Sequence, residues 1–165
     1  MELAERRLFE MKADKFLETC QKCKAFCCKM GGPNFTESEM KRVLEAGYKN
    51  YFFEVRDKIY ELKSKKGICP YLNKDNSCEI HKIKPLLCLC WPVFPNFDRE
   101  KGGYIIIECP LVKHLSKKEI EKCREEASKV PEKLLDVALD YSTVSKSDAK
   151  LLQKRLHKFK KKRLE

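Results

Sequence analysis

Glutamine is nearly missing from this 165-residue chain, which has only Gln21 and Gln153, and so is any long apolar run. The longest apolar stretch, Leu86 to Phe94, contains Pro92 and falls well short of the roughly 20 residues a membrane-spanning helix needs. A spanning helix is therefore excluded, and no membrane partner is expected. Met1-Glu-Leu-Ala-Glu-Arg-Arg7 is acidic from its second residue and opens an amphipathic pattern, so no secretory signal is expected and the expected location is cytoplasmic. The chain has no Gly-rich phosphate loop, no Gly-x-Ser-x-Gly elbow and no His-Glu-x-x-His, and no self-similarity at a period of about 20 to 50 residues. Its three histidines are scattered: His157 lies in a basic tail, His114 just before a helix, and only His81, three residues after Cys78, is placed to ligate a metal. No catalytic residue is named.

Cysteine, in contrast, is abundant, with ten in the chain. Where thiols stay reduced, clustered cysteines bind metal or do redox chemistry more often than they form bridges. The Lys- and Glu-rich, Gln-poor composition resembles that of hyperthermophile proteins, whose interiors tolerate disulfides, so bridging stays open as an alternative. The length suits one domain, or one with an appendage, and at 42% hydrophobic residues it can bury a core.

The net charge of +11 is uneven: Lys146 to Glu165 holds nine Lys or Arg against Asp148 and Glu165, a local +7. Such a tail can touch nucleic acid or an acidic protein, although a solvated helix end is the commoner explanation.

Helical spacing is expected from about Glu2 into Cys27, with Gly31-Gly32-Pro33 beyond it. Thr36-Glu-Ser-Glu39 is a capping box that opens a helix to about Ala46, stopped by Gly47. Asn50 to Lys63 reads as a second amphipathic helix with Phe52, Phe53, Val55, Ile59, Tyr60 and Leu62 on its apolar face. From Lys63 to Pro110, prolines, glycines and Asx residues break the chain too often for long helices. Within this stretch Tyr104-Ile-Ile-Ile107 reads as a strand, paired with the segment around Val93 to Phe97. Ser116-Lys-Lys-Glu119 is a second capping box, Pro131 opens a further helix, and Ser145-Lys-Ser-Asp148 precedes a last one striped by Leu151, Leu152, Leu156 and Phe159. The expected fold is mainly α with an irregular, cysteine-rich, loop-dominated centre and a short β hairpin. Residues 1–112 form a cysteine-cluster domain and residues 113–165 a helical C-terminal extension with the basic tail.

On a continuous helix Cys20, Cys23 and Cys27 would lie within an arc of about 60°, with Cys28 about 100° further round. Three thiols on one face suit a soft cation, because the thiolate is the ligand and a metal offsets the mutual repulsion. Later come Cys69, Cys78, Cys88, Cys90 and Cys109, and turn-forming Asn73 to Ser77 can fold Cys69 and Cys78 into one knuckle. Cys90, which breaks the spacing, and Cys123, alone in a charged helix, read as small buried hydrophobes. Trp91, Phe94 and Phe97 would form a small core around the metal. The candidate metal ligands are thus Cys20, Cys23, Cys27, Cys28, Cys69, Cys78, Cys88 and Cys109.

Over about residues 16–112 the chain resembles the YkgJ-like cysteine-cluster proteins, to which zinc or iron chelation through a CxxCxxCC-type signature is ascribed. The matching pieces are Cys20-x2-Cys23-x3-Cys27-Cys28, Cys69-Pro-Tyr-Leu, Cys78-Glu-Ile-His, Pro85-Leu-Leu-Cys88, Trp91-Pro92 and Cys109-Pro110. It departs from that pattern in one extra residue between Cys23 and Cys27, His81 in place of an aromatic, and Leu89 in place of an Arg. The resemblance implies metal chelation and, for some members, an association with lysine methylation of flagellin.

The expected function is chelation of zinc or iron, including an iron–sulfur cluster, through these thiolates. Zinc would take four-thiolate sites or a site with His81, and iron a cluster held by four cysteines. Proline after Cys69 and Cys109 resembles ferredoxin runs and tips the balance slightly to iron. Two other readings stay open: an iron–sulfur redox or protein-modification enzyme, and a nucleic-acid or protein-binding adaptor with a structural metal.

Overall fold

Residues 17–22 are helical (α1), and this helix stops inside the first cysteine motif. The N–H groups of Lys24 and Ala25 donate to the carbonyls of Gln21 (3.0 Å) and Cys20 (2.8 Å), the paired bonds of a Schellman stop. Lys24 and Ala25 take positive φ values of 60° and 49°, so the left-handed turn is made without glycine. Cys27–Lys29 then form a single 3-10 turn. The structure is a computed structural model that describes residues 17–96, 100, 102–139 and 161–164. The expected helix over Glu2 to Phe16 and the stripe from Leu151 to Phe159 lie outside them.

Two three-stranded antiparallel sheets overturn the mainly α expectation. The first has the order β1-β3-β2, with β1 at Phe35–Thr36, β2 at Phe52–Arg56 and β3 at Ile59–Leu62. The stretch expected as a helix over Asn50 to Lys63 is thus a hairpin, turning at Asp57 and Lys58 with φ of 50° and 57°, as a two-residue primed turn requires. Its apolar positions mislead because the sheet meets a different core cluster with part of each face. Ile59 enters one core cluster, with Val55 packed against it, while Phe52 and Leu62 enter the other, with Tyr60 against that one. A register shift between Glu54 and Arg56 further breaks the period of two, so the pattern imitates a helical stripe.

The capping boxes form as read. Thr36 caps α2 (Glu37–Glu45), and Ser116 caps α4 (Lys117–Ser128), each with side-chain and backbone bonds in both directions. Gly47, at φ 84°, follows the first of these helices. Between them lies the one-turn helix α3 (Leu86–Leu89). After α4, Pro131 precedes α5 (Glu132–Leu139).

The second sheet has the order β4-β5-β6. The expected hairpin is its β4 (Val93–Pro95) and β5 (Tyr104–Ile107), in the register Val93↔Ile106. Its third strand, β6 (Lys161–Leu164), comes from the basic tail, read above as the end of a helix, and pairs Ile105↔Arg163. Sequence patterning does not reveal such a long-range pairing. Ala127 and Leu134 bring α4 and α5 into one core with Ile59, Leu87 and Val93. Each of the larger buried side chains, Leu134, Ile59, Leu87 and Val93, contributes about 1.5–3 kcal/mol. Among the described residues no helix is long and apolar enough to cross a membrane.

Candidate metal centre

Hydrogen bonds between distant segments gather the cysteines. The Cys69 N–H donates to the Cys28 carbonyl at 2.8 Å. Beside it the Lys29 ammonium donates to Asn76 Oδ1 (2.9 Å) and the Gln21 amide to Asp75 Oδ2 (3.3 Å). Asn76 and Asp75 belong to the expected knuckle, which the Asn73 N–H closes on the Ser77 carbonyl while Asp75 Oδ1 accepts from the Ser77 backbone. A bridge of Leu72 with Cys78 completes it. Tyr71 anchors the knuckle: fully buried, it donates its hydroxyl to the Lys49 carbonyl at 2.7 Å and meets Tyr51 edge-on. Packing therefore accounts for the Tyr of Cys69-Pro-Tyr-Leu.

Cys88 arrives on α3, whose first N–H, at Leu86, is accepted by Glu39 Oε1 at 2.7 Å. Cys109 precedes a 3-10 helix (Pro110–His114), and its Sγ accepts the Trp91 indole N–H at 3.4 Å. With Pro110 at the first position of that helix, the Cys-Pro pair has a local structural origin, since proline suits a helix start.

Cys27 is the common neighbour. Once ionised it would repel Cys20, Cys69, Cys78, Cys88 and Cys109, it lies beside the Cys28 thiol, and Cys23 would in turn repel Cys20. Cys20, Cys28, Cys69, Cys78, Cys88 and Cys109 thus neighbour Cys27, Cys23 neighbours Cys20, and all ten cysteines in the chain are free thiols. Burial first, then Cys27 and Cys23, push the Cys20 thiol up to about 12, and burial does the same to Cys69. The Cys27 thiol is held well above its ordinary range by the Cys28 thiol and then by burial, and Cys88 by burial and then Cys27. Burial also raises Cys78 and Cys109, the latter opposed by the indole hydrogen bond. Among the described residues no three Cys, His, Asp or Glu side chains close on one point, so the thiols are gathered without converging on a single centre. As donors they fit a soft cation: thiolates crowded into a desolvated site repel one another, and a bound cation removes that cost.

Cys90 and Cys123 stand apart. Cys90 is fully buried, its thiol 3.5 Å from the Leu87 carbonyl, and the half-buried Cys123 thiol faces the Trp91 carbonyl at 3.6 Å. Burial followed by Cys123 pushes the Cys90 thiol up to about 12. His81 starts a 3-10 turn beside Cys78, its N–H donating to the Cys78 carbonyl at 3.2 Å.

Two participants escaped the sequence reading. Lys84 is half-buried, and its positive charge pulls down the thiols of Cys20, Cys27, Cys78 and Cys88 against burial. A signal existed: no carboxylate stands three or four residues away on either side of Lys84. Trp91, assigned only to the core, is a donor to a thiol as well as an edge-on partner of Phe94 at 5.4 Å. Phe97 lies outside the described residues.

Neither a comparison with curated proteins nor one with solved structures gives a match. Residues 19–125 match a family whose signature is the cysteine run itself, and the matched span reaches beyond Cys109 into α4. With most of its length covered, including the four segments that bring the thiols together, this chain belongs to the family described as "CxxCxxCC: Putative zinc- or iron-chelating domain".

Proposed function

We propose that this protein chelates zinc or iron through Cys20, Cys23, Cys27, Cys28, Cys69, Cys78, Cys88 and Cys109. One observation carries the reading: Cys27 and six further free thiols from four segments far apart in the chain share one neighbourhood, with Cys23 beside Cys20 at its edge. An apolar core needs no such gathering of groups that repel one another once charged. A bound metal would supply either a tetrahedral thiolate staple, as zinc does, or a one-electron redox centre, as an iron–sulfur cluster does.

The chain's own part is to bring the thiols together, release their protons on ligation, and rotate side chains already adjacent onto the ion. Lys84 offsets part of the negative charge that results. The lean toward iron drawn from Cys-Pro loses weight at Cys109, where Pro110 has a local role in starting a helix.

Anaerobic purification followed by elemental analysis for iron and zinc, with a visible spectrum, tests the reading. The expected result is stoichiometric metal that is lost when Cys27 is replaced by Ser. A chain that is purified metal-free, with its thiols reduced, and takes up neither ion overturns the proposal. A brown protein absorbing near 400 nm, by contrast, identifies the metal as iron in a cluster.

A further inference from the structure

We infer that Trp91 is a positioning residue for the metal centre, its indole N–H holding the Cys109 sulfur in place and drawing charge from it when that sulfur ligates a cation. The inference rests on the chelation reading above and assigns a role to a residue outside the thiol set.

Trp91 is fixed from three directions. Its Nε1 lies 3.4 Å from Cys109 Sγ, inside the range of an N–H···S bond. Its carbonyl is met by the Cys123 thiol at 3.6 Å, tying it to α4. Its ring packs edge-on to Phe94 at 5.4 Å and 81°. Indole offers one donor and no acceptor, so a half-buried Trp has a single polar demand, and here a sulfur 18 residues away meets it.

The chemical consequence follows from how outer groups tune a ligand. A donor aimed at a thiolate sulfur lowers its charge, making it a slower nucleophile and a weaker base while fixing its direction toward the ion. Cys109 should therefore be the least reactive ligand relative to its exposure. Trp91 is the only tryptophan in the chain, so its indole can be altered and observed without interference.

The test uses the full chain loaded with Zn2+ alone. Alkylation by iodoacetamide is followed at each cysteine by peptide mass spectrometry in the parent, in Trp91→Phe, and in protein grown with 3-benzothienylalanine, which keeps the bicyclic shape and removes only the N–H. Both altered proteins should alkylate Cys109 about fivefold faster relative to Cys20 and Cys69, as expected for one hydrogen bond of ordinary strength. A uniform rise at all ligands, or no change at Cys109 in the benzothienyl protein, overturns the inference. Should Trp91→Phe fail to fold, the isosteric protein carries the comparison alone. In the metal-free chain the single indole N–H resonance should move in Cys109→Ser and stay in place in Cys90→Ala. If it stays in place in both, the bond is absent. If neither Zn2+ nor iron binds, the chelation reading fails and this role fails with it, while the resonance still reports separately on the indole–thiol bond.

Discussion

Glu39 joins two helices: its Oε2 closes the capping box of α2 by accepting from the Thr36 N–H (2.8 Å), and its Oε1 accepts the Leu86 N–H (2.7 Å) at the start of α3. A carboxylate that is only 8% exposed thus holds the segment that delivers Cys88. Glu39→Ala would remove the reciprocal cap bond and orphan the Leu86 N–H, a combined cost of about 2–4 kcal/mol. Glu39→Gln, which keeps an acceptor, should cost about half of that. Urea unfolding of the metal-free chain measures both, and equal losses would mean that the acceptor oxygen Gln keeps replaces neither bond of the carboxylate.

Gly32 has φ +80°, and an added Cβ would meet Leu62 Cδ1 at 3.3 Å and Cys69 Cβ at 3.4 Å. Gly31, at φ +113°, has open space around it. Gly32→Ala should therefore cost about 1–2 kcal/mol from its backbone alone, and should also displace Cys69 and weaken metal uptake. Gly31→Ala should lose stability while keeping its metal. Similar metal affinity in the two variants would show that the contact with Cys69 is not felt.

The Asp57-Lys58 turn invites a stabilising change. Lys58 sits at φ 57° with its backbone N–H donating to Glu54 Oε1 at 3.1 Å. Lys58→Gly keeps that bond, relieves the left-handed strain and loses one exposed ion pair to Glu37. A net gain of about 0.5–1 kcal/mol is expected by thermal or urea unfolding. A loss would mean that the ion pair outweighs the turn.

Metal-free and metal-loaded chains should respond to pH in opposite directions. Burial holds the Cys20 and Cys69 thiols up to about 12, against an ordinary 9.0. The folded chain then keeps protons that the unfolded chain gives up. The resulting stability is complete below about pH 9 and declines as the pH rises toward 12. Urea midpoints taken at about pH 8 and about pH 10 should show that decline. The loaded chain must release protons to bind, so it should lose metal on acidification, with proton release visible when Zn2+ is titrated into weakly buffered protein.

The ten thiols should divide into two classes under substitution. Cys27→Ser, at the shared neighbour of the cluster, should lower metal stoichiometry most, whereas Cys90→Ala and Cys123→Ala should leave it unchanged. Cys90→Ser, placing a hydroxyl at a fully buried position, should cost about 1–3 kcal/mol without loss of metal. Elemental analysis beside urea unfolding separates the two classes. Metal loss in Cys90→Ala would join that residue to the centre.

What could be read from the sequence was chemistry acting over a few residues. The capping boxes at Thr36 and Ser116, the helix after Pro131 and the hairpin of Val93 with Ile106 each depend on neighbours or on a short connection, and their residue types announce them. The cysteines that share the Cys27 neighbourhood stood out for a related reason: thiols, prolines and Asx turns at close spacing are rare outside sites that need them. The stop of α1 was hidden because Lys24 and Ala25 perform a turn that glycine would have signalled. The strands over Phe52–Arg56 and Ile59–Leu62 were hidden because a different core cluster meets part of each face of their sheet, which erases the alternation that marks a strand. Pairing of β6 with β5, the charge of Lys84 beside the thiols and the indole bond to Cys109 join residues far apart in the chain. Chain folding alone decides such contacts, because a residue's own type does not say which distant partner will satisfy it.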